Sequence, residues 1–299
     1  MFTRLNTPLK SHSFFKKRGF SQIRVNTVDH DGCLGLQYME PCEVRERHAP
    51  LIDAFSAQKY DFDYVMSYSN RQNRRRDCFN ALYNQNNLAF PVAKAFAKAL
   101  NAYFDPLLLA DIYAKKKPGF TILEMQIALA QKGINSSGKI SDKILTELMN
   151  ECATETVFSE DKLNILYPQT HRMSLIHPKA EITFNILDDL VEQVLEPSID
   201  FYSQYPTLIP NNVTLNFYYL NTLEEGMNLP TKISSLVGEG EVDADYYETV
   251  LAMGEIAKKE EGTEITKYKM ANYLSPKRIL EEKSELELGS VDITLARAK

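Results

Sequence analysis

Two carboxylates at the end of a short apolar run are the residues of this sequence best suited to chemistry. Residues 25–28 are followed by Asp29, His30, Asp31 and Gly32. If the run is a strand, the side chains of Asp29 and Asp31 lie on one face at its carboxyl end, and Gly32 allows a sharp turn. Two like charges this close repel each other unless a cation or a shared proton is present. The spacing therefore suits a magnesium site with one attacking and one acid/base carboxylate, or else a solvated turn.

Three further stretches carry side chains of the kinds that bind phosphate or metal. One apolar run is followed by Ser69, another ends in Asp188 and Asp189, and Lys162 lies upstream of the second run. Along the chain the four stretches are residues 29–34, the run before Ser69, Lys162, and the run that ends in Asp188 and Asp189. In this order they resemble the four motifs of the haloacid dehalogenase (HAD) superfamily. The resemblance covers residues 22 to about 220.

The resemblance implies a phosphatase that hydrolyses phosphate monoesters with Mg²⁺. Asp29 would attack phosphorus and form an aspartyl-phosphate, and Asp31 would protonate the leaving oxygen and then take a proton from water. Ser69 and Lys162 would hold the phosphoryl oxygens. The groups implied at the metal are Asp29, Asp188, the main-chain carbonyl of Asp31 and, orienting the metal shell, Asp189.

The lysine and one motif position leave alternatives open. Lys162 is the preferred lysine because it leaves room for one helix before the strand that ends in Asp188, and Lys179 is the fallback. Lys179 follows His177 and Pro178, a context typical of a surface loop. Cys33 stands where the family has Thr or Val, and the acids are intact, so we expect activity to be retained.

The resemblance implies that the substrate is a phosphorylated protein or a small phosphate ester. The basic segment 71–76 is either a solvated helix start or an anion-attracting surface beside the site. The acidic segment 281–287 is either a charged helix or an export signal. With both segments, the chain is similar to the HAD-like phosphotyrosine phosphatases that bacteria export as effectors through Dot/Icm-type type IV secretion. The alternatives are a phosphatase of small phosphometabolites and a non-catalytic HAD-like scaffold.

Composition restricts the class of protein. The 299 residues carry a net charge of -6, which argues against nucleic acid as the main partner. The four cysteines show no metal-type pairing and are predicted to be free thiols. No apolar run approaches the ~20 residues of a membrane span. We expect a soluble monomer, in the bacterial cytoplasm or, if the acidic segment is a signal, in a host cell; membrane contact is not predicted.

The positions of the four motifs require an α/β sheet. Strands are predicted near residues 22–28, 64–69, 182–189 and 213–220, with a further buried strand over 106–113. Helical patterns between them predict a doubly wound, mostly parallel, Rossmann-like (HAD-like) sheet with helices on both faces, a small cap, and all four motifs at its carboxyl edge.

Three regions are predicted along the chain. Residues 1–21 form a basic leader, residues 22–222 the catalytic domain, and residues 223–299 a charged, mainly helical C-terminal appendage. A helix capped by Asp161 and interrupted by Pro168 is predicted to carry Lys162. Asp111 is expected to be a structural carboxylate.

Overall fold

A six-stranded sheet forms the centre of the protein. The structure, a computed structural model, describes residues 21–153, 161–223, 229–261 and 274–297, so the predicted leader, apart from Ser21, lies outside the described residues. The strands are β1 Gln22–Val28, β2 Phe62–Ser67, β3 Tyr103–Phe104, β4 Glu181–Asp188, β5 Val213–Tyr219 and β6 Thr231–Val237. Their order is β3-β2-β1-β4-β5-β6, and only β6 is antiparallel to its neighbour. The prediction of a mostly parallel α/β sheet is confirmed.

The register brings the ends of the central strands to one level. Val28 of β1 lies opposite Ser67 of β2 on one side and Leu187 of β4 on the other. Buried asparagines also link the strands, since Asn185 donates to Asn26 (3.0 Å) and Asn216 donates to Asn185 (3.3 Å). A slip of one residue would break these bonds and turn every side chain to the other face. The polar residues that follow β1 and β4 are therefore held side by side.

Helices cover both faces of the sheet. They are α1 Val44–Arg47, α2 Ala49–Ser56, α3 Arg74–Tyr83, α4 Ala89–Ala99, α5 Leu109–Tyr113, α6 Phe120–Gln131, α7 Asp142–Glu151, α8 Lys162–Ile176, α9 Glu196–Gln204, α10 Tyr246–Glu261 and α11 Pro276–Arg297. One face packs Val28, Val65 and Leu187 against α1, α2 and α4. The other face packs the alternate residues of the same strands against α8, α9 and α10. Both sides of the central strands are thus buried, as is usual for a mostly parallel sheet.

The segment between β3 and β4 builds a separate apolar core. Ile122 and Met125 of α6 and Leu145 and Leu148 of α7 pack with buried residues of α3, among them Cys78. The two helices of this insertion, α6 and α7, are separated by residues 132–141. Whether this small unit works as a cap stays a prediction.

Two sequence predictions of local structure are wrong. Residues 106–113 do not form a strand; they contain α5, because the Asp111 carboxylate accepts hydrogen bonds from Leu108 N, Gly119 N and Thr121 N and so fixes a helical turn. Asp111 is therefore a structural carboxylate, as expected. Pro168 does not interrupt α8, which is continuous through this position. The next residue, Gln169, ties this part of the helix to the sheet, since its side chain donates to Ser67 O at 2.7 Å.

The C-terminal region joins the sheet and its core. β6 extends the sheet, and α10 contributes Val250, Met253 and Ile256 to the main apolar core and packs against α8. In the acidic segment, Glu282 is ion-paired with Lys259 of α10 at 2.7 Å, so part of that segment holds α11 in place; export remains a prediction. None of the helices in the described part of the chain combines the length and apolar content of a membrane span.

Candidate active site

The carboxyl ends of β1 and β4 bring Asp29 and Asp188 to the same edge of the sheet. Asp29 follows the last residue of β1, and its N–H donates to Leu187 O at 2.9 Å. Asp188 is the last residue of β4 and has no exposed surface. Both side chains point to the α8 face, because residues two apart in a strand share a face. The prediction that these aspartates meet agrees with the structure.

Lys162 connects the two aspartates. It is the first residue of α8, a helix whose start is fixed by the Asp161 carboxylate, which accepts from Leu163 N at 2.8 Å. Its Nζ donates to Asp29 Oδ1 at 2.7 Å and lies 3.0 Å from Asp188 Oδ2. Burial disfavours the ammonium, but the carboxylates of Asp188 and Asp29 hold the pKa of Lys162 above its ordinary value. The lysine is charged and is positioned by both acids.

Lys179, the alternative lysine, lies at the opposite edge. It is exposed and precedes β4 by two residues, so the length of the strand separates it from Asp188. The eight residues of β4 correspond to roughly 25 Å at 3.3 Å per residue. Lys162 is therefore the lysine that the fold brings to the aspartates.

Asp189 lies beside Asp29 and above Gly32. A Cβ atom added to Gly32 would lie 2.1 Å from Asp189 Oδ2, and Gly32 has a φ of +81°. Only glycine fits both the turn and this close approach. Burial raises the pKa of Asp189 to about 8, and the nearby charges of Asp29 and Asp188 add to the shift. Burial likewise raises the pKa of Asp29 to about 6, against the opposing charge of Lys162.

When all its acids are ionised, the cluster carries more negative than positive charge. Asp29, Asp188 and Asp189 bring three negative charges when ionised, and Lys162 is the cation in contact with the first two. The remaining charge matches one divalent cation. Asp29 and Asp189, with Cys33, each place one ligand atom within 4.8 Å of the others. The carboxylates are the oxygen ligands that Mg²⁺ prefers, so the residues present fit a Mg²⁺ site. In this geometry Asp189 is a candidate ligand, whereas the sequence prediction gave it an orienting role.

Asp31 is ion-paired with a buried arginine, Arg71. Arg71 Nε donates to Asp31 Oδ2 at 3.0 Å, and its Nη2 donates to Asp31 Oδ1. The guanidinium has no exposed surface and is anchored by Asn87 O at 2.9 Å and by the carboxylate of Asp77. Burial of Asp31 works in the opposite direction, but the charge of Arg71 lowers the pKa of Asp31 below its ordinary value. Asp31 is therefore an ionised carboxylate in this state.

Ser69 contacts its own loop. The residue is fully buried, and its Oγ accepts from Arg71 N at 3.3 Å while its carbonyl accepts from the Gln72 side chain at 2.5 Å. The carbonyl of the preceding residue, Tyr68, contacts the site lysine, since it accepts from Lys162 Nζ at 2.6 Å. The role of Ser69 at phosphate stays a prediction.

Sequence reasoning missed two side chains of the site. Arg71 was placed in the basic segment 71–76, and nothing in the sequence distinguishes it from Arg74, Arg75 and Arg76; the fold does, by burying it against Asp31. Cys33 was treated as a neutral departure from the motif. Its position four residues after Asp29, across the glycine turn, was the signal that could have identified it.

Comparison of the chain with protein-family models, curated protein sequences and solved structures finds no match. Its function is therefore inferred from the geometry of the site and from the sequence motifs.

Proposed function

We propose that the protein is a Mg²⁺-dependent phosphomonoesterase with a HAD-like catalytic sheet. The observation that supports it most directly is the Asp29–Lys162–Asp188 cluster at the carboxyl edge of parallel strands, where α/β folds of this kind place their sites. Motifs separated by more than 130 positions in the chain meet there, as in the hydrogen bond between Lys162 and Asp29. A fold used only for binding has no need of this arrangement.

Mg²⁺ would be held by Asp29 and Asp189, with Asp188 in the same cluster and Lys162 compensating the remaining charge. When bound, the ion would neutralise part of the charge of the phosphate and so lower its repulsion of a carboxylate nucleophile. The raised pKa values of Asp29 and Asp189 support this assignment, because both groups gain from a nearby cation.

Asp29 is the proposed nucleophile. One of its oxygens forms a bond to phosphorus, the bond from phosphorus to the ester oxygen breaks, and the leaving oxygen ends as an alcohol or phenol after it gains a proton. Water then attacks the aspartyl-phosphate, its proton passes to Asp31, and phosphate and free Asp29 result. Lys162 holds Asp29 in place through its 2.7 Å hydrogen bond and contributes positive charge where the transition state is most negative.

The ion pair between Arg71 and Asp31 favours phosphotyrosine as the substrate. Arg71 stabilises the carboxylate form of Asp31, which lowers its pKa, so that Asp31 is ionised and seldom carries a proton to donate. A leaving oxygen that is stable as an anion needs least protonation, and with a pKa of about 10 the phenol of tyrosine meets this condition far better than an alkyl alcohol. We therefore propose phosphotyrosine in proteins as the substrate, and the basic segment 71–76 as a help in attracting acidic peptide.

The test is hydrolysis of a phosphotyrosine peptide, a phosphoserine peptide and sugar phosphates with and without Mg²⁺. We expect Mg²⁺-dependent turnover with the phosphotyrosine peptide preferred, and loss of turnover in Asp29→Asn. Asp53→Asn, at an exposed position of α2, is the matched control and should behave as wild type. A preference for sugar phosphates would indicate that the substrate is a small phosphometabolite and not phosphotyrosine. If neither wild type nor Asp29→Asn hydrolysed any of these substrates, the result would favour a non-catalytic HAD-like scaffold.

A further inference from the structure

A thiol belongs to the same cluster as two of the carboxylates. Cys33 Sγ, one oxygen of Asp29 and one oxygen of Asp189 all lie within 4.8 Å of one another. Cys33 has no exposed surface, and its Sγ donates to Leu220 O at 3.0 Å. The side chain is fixed by the turn that follows β1, so its direction toward the cluster is a property of the fold.

A second observation indicates that the cluster can accept a further cation. Asp188 Oδ2 has no exposed surface and accepts no hydrogen bond, although Lys162 Nζ lies 3.0 Å away as an ion-pair partner. A buried carboxylate oxygen normally accepts at least one hydrogen bond. Lys162 donates two of its three N–H bonds to Asp29 and to Tyr68 O, and its ion pair with Asp188 Oδ2 at 3.0 Å leaves a second lone pair of this oxygen for a cation.

The ligand types in the cluster differ from those of a site for Mg²⁺ alone. Mg²⁺ binds oxygen and has little affinity for sulfur, whereas Zn²⁺ and Co²⁺ bind carboxylate oxygen and thiolate sulfur together in four-coordinate sites. Two carboxylates and one thiol supply three protein ligands, the number found in zinc sites that keep one position open.

We propose that Cys33, Asp29 and Asp189 form a binding site for a thiophilic divalent cation, Zn²⁺ in the first instance, which overlaps the Mg²⁺ site. Binding replaces the S–H bond of Cys33 by a bond from sulfur to the metal, and the proton passes to water, so nothing is oxidised or reduced. Leu220 O loses its donor in this step. Since Asp29 is a ligand in both cases, Zn²⁺ and Mg²⁺ exclude each other. The binding claim stands on the cluster alone; only the expectation that Zn²⁺ inhibits hydrolysis rests on the proposed function.

Cobalt reports the thiolate directly. Co²⁺ added to the full-length protein should produce the near-ultraviolet absorption of a cobalt–thiolate bond in wild type, and this band should be absent from Cys33→Ser. Cys42→Ser is the matched control, since Cys42 is exposed and contacts Glu40 at 3.6 Å, an arrangement that would produce an adventitious surface site. We expect the control to keep the band. No band in wild type, a band that persists in Cys33→Ser, or a band lost in Cys42→Ser would overturn the proposal.

Two further measurements remove dependence on a single variant. Asp189→Asn keeps the thiol and should weaken Zn²⁺ binding, measured by competition with a chromophoric zinc indicator, by at least about tenfold. Added Mg²⁺ should reduce the cobalt band in wild type, because the two ions share Asp29 and Asp189; a band unaffected by excess Mg²⁺ would place the cobalt elsewhere and overturn the overlap. A protein with the Cys33-dependent band and no phosphatase activity would refute the proposed function and leave the metal site standing.

Discussion

The raised pKa of Asp189 predicts that the metal-free protein loses stability as the pH rises from 7 to 9. Burial, with the charges of Asp29 and Asp188, moves this pKa from 3.8 to about 8. A carboxyl group with a folded-state pKa above its unfolded value binds more protons in the folded state. Its stabilising contribution is complete below the unfolded pKa and is lost as the pH passes through the folded pKa. For Asp189 the loss therefore extends from the unfolded pKa of 3.8 up to the folded pKa of about 8, and its last part falls between pH 7 and pH 9.

The size of the effect follows from the titration curve. Asp189 in the folded state goes from mostly protonated at pH 7 to mostly ionised at pH 9, while the unfolded group is ionised throughout. Integrated from pH 7 to pH 9, the difference in bound protons between the folded and unfolded states equals about one proton over one pH unit. This corresponds to a loss of about 1.4 kcal/mol in the free energy of unfolding. Asp189 is partly exposed, and we therefore expect about 1 kcal/mol after solvent screening. In a protein of this size this lowers Tm by about 2–4 °C.

The assay is thermal unfolding at several pH values between 7 and 9, in wild type and in Asp189→Asn, with a chelator or with saturating Mg²⁺. Other groups also contribute in this interval, among them Cys33: burial raises its pKa in the folded protein well above 9.0, whereas an unfolded cysteine titrates near about 8.5. The difference between the two proteins removes their contribution. In chelator, Tm of wild type should fall by about 2–4 °C more than Tm of the variant. Mg²⁺ should abolish this extra fall, because the cation replaces the proton as the partner of Asp189.

Two results would refute the reasoning. The first is an equal decrease of Tm between pH 7 and pH 9 in wild type and in Asp189→Asn, measured in chelator. Asp189 would then not be protonated in the folded state at pH 7, and the idea that burial and the charges of Asp29 and Asp188 raise its pKa would be refuted. If the extra fall is present but Mg²⁺ leaves it unchanged, the carboxylates are crowded but do not bind the ion. The histidines do not obscure this test, because burial lowers the pKa of His30, for example, to about 3.

Three more outcomes follow from individual contacts. Gly32→Ala should lower the free energy of unfolding in urea by about 1–3 kcal/mol, because the new Cβ meets Asp189 and the residue keeps a positive φ; an unchanged midpoint would contradict that packing. Lys162→Met should abolish hydrolysis and cost about 3–5 kcal/mol, since it leaves buried carboxylates without their partner, while the exposed control Lys179→Met should match wild type in both assays. Asp111→Ala should cost about 2–4 kcal/mol through its unpaired backbone donors and leave activity per folded molecule intact; loss of activity in folded Asp111→Ala would show that the carboxylate is not only structural.

The sequence predicted the strands that carry the motifs because each is a short segment in which apolar residues are frequent, such as Ile23, Val25 and Val28 of β1. β1, β2, β4 and β5 were all expected near their observed positions. The same criterion failed for residues 106–113, where three leucines resemble a buried strand but the carboxylate of Asp111 stabilises a helical turn. β6 was missed because most of its side chains are exposed or half-buried and give it no apolar run.

In the site, the acids and the lysine could be predicted because their motifs specify residue types in a fixed order. Arg71 could not, since burial against Asp31 depends on how the loop after β2 crosses to the loop after β1. The pairing of Cys33 with Asp189 depends on a left-handed turn at Gly32, which sets the approach of the segment after β4. Such contacts between loops depend on tertiary structure, which a linear pattern does not encode.

The position of α8 has a practical consequence for anyone who divides this chain into fragments. Thirteen of its fifteen residues are buried, because the sheet lies on one side and α10 on the other. The backbone N–H of Asp243 also donates to His171 of α8 at 2.9 Å. A protein shortened to end at residue 222 would lack α10. The apolar residues of α8 that α10 covers would then be exposed to water, and the helix that carries Lys162 would be less stable. Expression boundaries for crystallisation or assay should therefore lie beyond residue 261.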